Sequence, residues 1–306
     1  MIDILLALYN GEKFLSEQID SILAQTFEDW RLIICDDGSK DNSYKIASEY
    51  AARFPEKIKV YKNDVPSGSA QANFMGMLKY AEADYIMFSD QDDVWLPEKA
   101  EKTFERMKST EENDKPILVH SELLIADENM NIIHNCFTRY QGLNPEYKSL
   151  NRLMVQNNVT GCTVMINRKL LEIVRNVPAE KMLMHDWWFA LAAAAFGKIS
   201  FIEEPLIRYR QHGGNQLGAV NNRSIKGIFR IINERTKTQK RISITYTQAE
   251  NFYEYYKATL SKQSLECIEK YLTIPSKNKL IRMYMLIKGG HLKQDLIPAV
   301  GQLIFC

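Results

Sequence analysis

The first 90 residues alternate between two kinds of segment, and that alternation limits the fold more than any other feature of the chain. Short strand-like runs occur at Ile2–Leu8, Trp30–Cys35, Lys57–Lys62 and Asp84–Phe88. Such runs are too brief for helices, and the most apolar of them read as strands covered on both faces. Between them, apolar residues return at helical spacing. Phe14, Ile19, Ile22 and Leu23 occupy the first gap, Ser43 to Phe54 the second, and Phe74, Leu78, Tyr80 and Ala81 the third. A β-α-β-α-β-α-β order predicts a parallel sheet with helices on its faces, because each parallel pair needs a crossover. Ligands of such sheets bind outside the carboxyl ends of the strands. The polar clusters of this chain fall there: Tyr9-Asn10 after the first strand, Asp36-Asp37-Gly38-Ser39 after the second, and Asp90-Gln91-Asp92-Asp93 after the fourth.

From about residue 115 the pattern changes. Ile117–His120 and Leu123–Ala126 are expected as strands, Asp127-Glu128-Asn129 as a hairpin turn, and Ile132-Ile133 as its return. Val164-Met165-Ile166 and Ile199–Ile202 read as further strands, Lys169–Arg175 as a helix and His185–Phe196 as a buried helix. Arg208 to Asn215 reads as a polar, glycine-containing loop. The stretch from Asn221 onward carries 15 Lys and Arg against 6 Asp and Glu, so a net charge of +1 hides an acidic body and a basic tail. Five widely spaced cysteines show neither a disulfide framework nor a zinc spacing, which suits a reducing cytosol. The N-terminus lacks the basic and cleavage regions of a signal peptide, and no apolar run reaches the ~18 residues of a membrane span.

The chemistry concentrates in four places. Asp90 and Asp92, two apart after a buried strand, can face one crevice and supply carboxylates to Mg²⁺ or Mn²⁺, which prefer oxygen ligands and neutralise phosphate charge. Asp93 is expected to cap a helix opening near Leu96-Pro97. Asp36 or Asp37 can accept from a pyrimidine N3–H or from ribose hydroxyls, with Gly38 allowing a tight turn and Ser39 a cap. In His185-Asp186-Trp187-Trp188, Asp186 can act as a general base and the tryptophans can stack on a sugar. Arg210 can bind diphosphate oxygens and His212 can ligate a metal.

Taken together, Ala7-Leu8-Tyr9-Asn10-Gly11, Asp36-Asp37-Gly38-Ser39, Ser89-Asp90-Gln91-Asp92-Asp93-Val94-Trp95, Thr160-Gly161-Cys162, His185-Asp186-Trp187-Trp188 and Tyr209-Arg210-Gln211-His212 resemble the family 2 glycosyltransferases, in particular their bacterial rhamnosyltransferase-like branch. The resemblance covers roughly residues 1–218. It implies a GT-A type α/β fold, with a Rossmann-like, mostly parallel central sheet flanked by helices and a C-terminal helical extension. It implies a nucleotide-sugar-binding half over 1–110, an acceptor-binding half of the same domain over 111–218, and a basic helical extension over 219–306. Tyr9, Asn10, Asp36, Asp37, Asp90 and Arg210 would contact the nucleotide-sugar, with Tyr9 and Asp36 flanking the base. Asp90, Asp92 and His212 would hold Mg²⁺ or Mn²⁺, Asp92 being the foremost direct ligand. Asp186 would be the catalytic base of an inverting transfer, and His185, Trp187 and Trp188 would face the acceptor. The implied donor is dTDP-rhamnose, with UDP-sugars open, and the implied acceptor is a cell-surface glycan or a lipid-linked one. The chain lacks the Gln-x-x-Arg-Trp motif of processive synthases.

In the tail, Arg223, Lys226, Arg230, Arg235, Lys237, Lys240 and Arg241 lie among Ile225, Ile228, Phe229, Ile231 and Ile232, the pattern of a basic amphipathic helix that can rest on an anionic membrane. Leu280–Leu286, with Arg282 and Lys288, is a second such stretch. A cytoplasmic protein with peripheral contact to the inner face of the cell membrane is therefore expected, and no nucleic-acid recognition motif is present. Two alternatives share parts of this pattern. A nucleotidyltransferase making a sugar nucleotide would need a glycine-rich basic loop after the first strand, where this chain has Tyr9-Asn10-Gly11-Glu12. A non-catalytic nucleotide-sugar or glycan-binding protein would need no base at position 186.

Overall fold

The computed structural model describes residues 1–112, 114–213 and 235–306. In chain order these form β1 (Ile2–Leu8), α1 (Leu15–Leu23), β2 (Trp30–Asp36), α2 (Ser43–Arg53), β3 (Ile58–Lys62), α3 (Ala70–Met77), β4 (Tyr85–Ser89), β5 (Val94–Trp95), α4 (Lys99–Thr110), β6 (Ile117–Ala126), β7 (Ile132–His134), α5 (Phe137–Gln141), α6 (Leu150–Leu153), β8 (Met165–Asn167), α7 (Arg168–Val174), α8 (His185–Phe196) and β9 (Lys198–Arg210). The C-terminal helices are α9 (Arg235–Tyr256), α10 (Lys262–Leu272), α11 (Lys279–Lys288) and α12 (Leu296–Phe305). Most of the basic stretch between Arg223 and Arg241 lies outside the described residues.

One sheet runs β3-β2-β1-β4-β8-β6-β9-β5, with β7 paired to β6. Strands β3, β2, β1 and β4 are all parallel. Because β1 sits between β2 and β4, the strand order reverses there, and a crevice opens at its carboxyl end. The β1 run is apolar throughout because helices cover both faces of the sheet. Its exception, Asp3, is fully buried and takes a two-pronged pair from Arg31 on the neighbouring strand at 2.9 and 3.0 Å, along with the N–H groups of Glu82 and Ala83. Every buried oxygen of that carboxylate therefore has a donor.

Beyond β4 the sheet turns mixed. β8 is antiparallel to both β4 and β6, β6 is parallel to β9, and most paired residues of the sheet lie in parallel ladders. The two strands expected around residues 117–126 are one strand with a register shift at Ser121-Glu122. Glu122 stays inside it because its carboxylate accepts from the Phe137 and Thr138 N–H groups at the start of α5. Likewise, β9 continues past Glu203-Glu204-Pro205 as far as Arg210, so Arg208-Tyr209-Arg210 belongs to a strand and not to a loop. The extra residues bulge out of β9 itself: Ser121 pairs with Ile202 and Glu122 with Pro205, which leaves Glu203 and Glu204 without partners on β6. Asp93 caps no helix: it precedes β5, and α4 begins only at Lys99, with Glu98 at its N-cap.

The helical tail shares a core with the sheet domain. Trp188 of α8 packs against Phe252 and Tyr256 of α9, and Gln248 accepts from the Leu183 N–H. Farther on, Asn151 donates to the Gly289 carbonyl, and the backbone N–H of Gln294 donates to Gln156 Oε1 at 2.9 Å. No helix among the described residues is long and apolar enough to cross a membrane.

Gly197 closes α8 so tightly that an added Cβ would lie 1.8 Å from the Pro116 carbonyl oxygen, where Lys198 joins β6. Gly197→Ala should therefore destabilise the protein by about 3 kcal/mol, the upper part of the usual range for overpacking. Gly76→Ala, inside α3 with open space at its Cβ, should stabilise it by about 0.5–1 kcal/mol. Urea midpoints of the two variants check both signs, and equal midpoints would refute the packing argument.

Candidate functional site

The carboxyl ends of β1, β2 and β4 open into a cavity of about 830 Å³, whose far wall comes from α5, the segment before β8, and the start of α8. The floor is held together by Gln91, which accepts from the Tyr9 N–H at 2.7 Å and donates to the Tyr9 carbonyl at 2.9 Å. That carboxamide fills the space where a side chain on Gly11 would stand, at 2.6 Å from its Cβ, so Gly11 is required there. Tyr9 itself is exposed on the cavity wall.

The structure separates the paired acids at the end of β2. Asp37 faces the cavity and accepts from the Ser67 N–H and hydroxyl and from Asn63 Nδ2 at 2.7–2.8 Å. Asp36 lies behind the wall, fully buried, with one oxygen accepting from the Gly38 and Ser39 N–H groups of the turn. Gly38 has φ +83°, which a β-carbon disfavours, and this turn decides which of the two acids points outward. Asp36 is therefore a turn residue and not a base contact. Asn10 also leaves the site: it takes a left-handed φ of 48°, its side-chain oxygen accepts from the Lys40 N–H, and its own N–H donates to Ser39.

Asp90 and Asp92 both reach the cavity. Among the described residues Asp90 accepts no side-chain hydrogen bond, and its carboxyl is pushed up to about 7 by burial and by the charges of Asp92 and Asp186. Asp92 Oδ2 lies 2.7 Å from His212 Nε2. A second grouping shares Asp90: ligand atoms of Asp90, Asp93 and Cys162 lie within 4.8 Å of one another. Asp93 and Cys162 are buried, and burial pushes both well above their ordinary pKa values. A thiol is a soft ligand and a poor partner for Mg²⁺ or Mn²⁺, so Asp90 and Asp92, with His212 beside Asp92, are the better chemical match to a hard divalent ion, although among the described residues only the Asp90, Asp93 and Cys162 grouping has its ligand atoms drawn together.

Asp186 stands in the first turn of α8, facing the cavity, and accepts from the Trp187 N–H at 2.6 Å. Burial raises its carboxyl to about 7, in the range that suits a general base at neutral pH. His185 lines the same wall among the rings of Phe74, Phe88 and Phe189, with no hydrogen bond to either ring nitrogen among the described residues. Burial holds it neutral, with its pKa pushed down to about 3. Trp187 also lines the cavity and donates its Nε1–H to the Leu153 carbonyl.

Two expected contacts are corrected. Trp188 is fully buried, bonds Tyr256 OH at 3.2 Å and anchors the helical tail, so it faces no acceptor. Arg210 is 2% exposed and bonds the Asp92 and Glu128 carbonyls and the Glu17 carboxylate. It fixes the lip of the site and does not line the cavity. Sequence reasoning missed Asn63, Ser67 and Asn73, which organise Asp37, although Asn63 follows a parallel strand as Tyr9 does. It also missed Gln141, Gln156 and Asn157 on the far wall.

Four carboxylates, Asp37, Asp90, Asp92 and Asp186, line the cavity, and no Lys or Arg does so among the described residues. An anionic ligand entering such a site needs a cation with it.

Residues 3–173 match the model of the family described as glycosyl transferase family 2. Among curated proteins, the chain is similar to a dTDP-rhamnosyl transferase, RfbG, of Shigella flexneri. The two are 30% identical over 227 residues, which are 70% of this chain and 74% of that one. Two further curated relatives, a glycosyltransferase of Nostoc sp. and one of Bacillus subtilis, are spanned over only 66% and 44% of their length. Among solved structures, S. aureus TarS in complex with UDP-GlcNAc superposes with a TM-score of 0.57 at 14% identity, covering 99% of this chain and 90% of that one. The mannosyltransferase PcManGT of Pyrobaculum calidifontis, in complex with GDP-Man and Mn²⁺, gives 0.51 at 12% identity, over 99% and 87%. At these identities the likeness shows the fold, which is the GT-A type.

Proposed function

The chain belongs to glycosyl transferase family 2, and from that premise we propose that it is an inverting glycosyltransferase moving a sugar from a dTDP- or UDP-sugar to a hydroxyl of a cell-surface glycan or lipid-linked acceptor. The observation that carries this reading is the convergence of Asp37, Asp90, Asp92 and Asp186 on one cavity that no basic side chain lines among the described residues. Asp37, steadied by Ser67 and Asn63, retains lone-pair capacity for a pyrimidine N3–H or a ribose hydroxyl. Asp90, Asp92 and His212 would hold Mg²⁺ or Mn²⁺, which when bound neutralises the diphosphate leaving group. Asp186 takes the proton of the acceptor hydroxyl as its oxygen bonds to the anomeric carbon. The bond from that carbon to the diphosphate breaks on the opposite face, and the electron pair leaves with the nucleoside diphosphate. Trp187 offers a ring face, and His185 a neutral imidazole, to the sugars on the acceptor side. Rhamnose is the favoured sugar, supported by the similarity to a dTDP-rhamnosyl transferase. Contact with a membrane surface would suit a lipid-linked acceptor.

A thermal-shift panel of dTDP, UDP, GDP, CDP and NAD, with and without Mn²⁺, tests the reading. We expect dTDP or UDP to stabilise the protein only with metal, by about 2.7 kcal/mol at a concentration of 100 Kd. Failure of every nucleoside diphosphate to stabilise folded protein with metal present would overturn it.

A further inference from the structure

The described residues expose 14 large hydrophobic side chains, and half of them fall between Leu280 and Ile304. On α11 these are the adjacent Leu280 and Ile281, then Tyr284 and Ile287 each about one turn further on, with Leu280 79% exposed. On α12 they are Leu296, Val300 and Ile304, each four residues from the next. The opposite faces of the same helices are already satisfied. Leu286 is buried in the core, while Gln302 bonds both the His291 carbonyl and the Lys293 N–H and so ties α12 to the turn that precedes it. Among the described residues, the outward apolar faces stay exposed. Around α11 the charge has one sign: Lys277, Lys279 and Lys288 are exposed, Arg282 is half-buried, and the nearest acids along the chain are Glu269 and Asp295, the latter capping α12 beside Leu296.

We propose that α11 and α12 form a docking face for an anionic lipid bilayer, with their aliphatic side chains entering the boundary between headgroups and acyl chains and Lys277, Lys279 and Lys288 meeting the lipid phosphates. A second copy of the chain is a poorer occupant, because a two-fold contact sets each lysine patch against itself. Tyr284, with the Lys288 ammonium 5.4 Å from its ring, pairs an apolar body with a polar tip, as side chains at a membrane interface do. Docking goes beyond the catalytic reading and does not depend on it.

The test is flotation of the full chain with phosphatidylcholine vesicles, with and without phosphatidylglycerol. The protein should float with the anionic vesicles and be released by salt, and the Asp186→Asn variant should float equally. Lys277→Glu and Lys279→Glu should each weaken binding by about fivefold or more. Leu280→Gln with Ile287→Gln should weaken it by about tenfold or more, with an unchanged melting temperature, since both side chains are exposed. No flotation, or equal flotation with neutral vesicles, would overturn the proposal. So would a dimer on sizing that Leu280→Gln dissolves, because the face would then belong to a second copy.

Discussion

Asp186→Asn should lower turnover by about 10²–10⁴-fold, the usual share of a general base, while dTDP or UDP binding with Mn²⁺ stays near that of the wild type. Asn keeps the shape and the bond from the Trp187 N–H but cannot take a proton. The pH profile gives a second readout. Burial raises the Asp186 carboxyl to about 7, so the active, ionised form grows as pH rises through that value, and kcat/KM should climb with it. If Asp90 ligates the metal, saturating metal holds it ionised, so a limb near neutrality that vanishes in Asp186→Asn belongs to Asp186. For stability the same shift has the opposite sign. The folded state binds this proton more tightly than the unfolded chain does, so metal-free protein should lose stability as pH rises from the ordinary carboxylate range through about 7. Wild-type turnover in Asp186→Asn would sink the base assignment.

Asp92→Ala should abolish Mn²⁺-dependent stabilisation by the nucleotide and lower kcat/KM by about 10³-fold, or about 4 kcal/mol of lost charge stabilisation. The cause is the sign of the lining: with four carboxylates and no basic side chain from the described residues, the cavity repels a diphosphate unless metal accompanies it. The same measurements distinguish the two groupings that contain Asp90. Cys162→Ser should retain the metal response, because the buried thiol is protonated and lies with Asp93 beneath the site. Loss of the response in Cys162→Ser and its survival in Asp92→Ala would reverse the ligand assignment.

The parallel half of the sheet was legible because strands covered on both faces must be apolar throughout, and because polar residues then stand out at their ends. The buried helix at His185–Phe196 was legible because few sequences run Trp-Trp-Phe-Ala-Leu-Ala-Ala-Ala-Ala-Phe without packing on every side. Other features depended on direction, which periodicity does not carry. Asp36 and Asp37 differ by one residue, and only the left-handed turn at Gly38 sends the second into the cavity. Trp187 and Trp188 point to different sides of α8, one to the cavity and one to Tyr256. Arg210 looked like a loop cation because Glu203-Glu204-Pro205 resembles the end of a strand, whereas a bulge carries β9 through it. The two residues of β5 form a strand only through the partner that β9 supplies.

The bond from Asn151 to the Gly289 carbonyl, and that from the Gln294 N–H to Gln156 on the cleft wall, join α6 and the segment after it to the turn between α11 and α12. These contacts couple the height of the cleft to that of the tail's outer face. Any surface that seats α11 and α12 fixes how far above it Asp186 stands, and with it the span an acceptor must bridge to present its hydroxyl. If a membrane seats the tail as proposed, the enzyme would act as a ruler, selecting acceptors by the length between anchor and growing end as well as by their sugars.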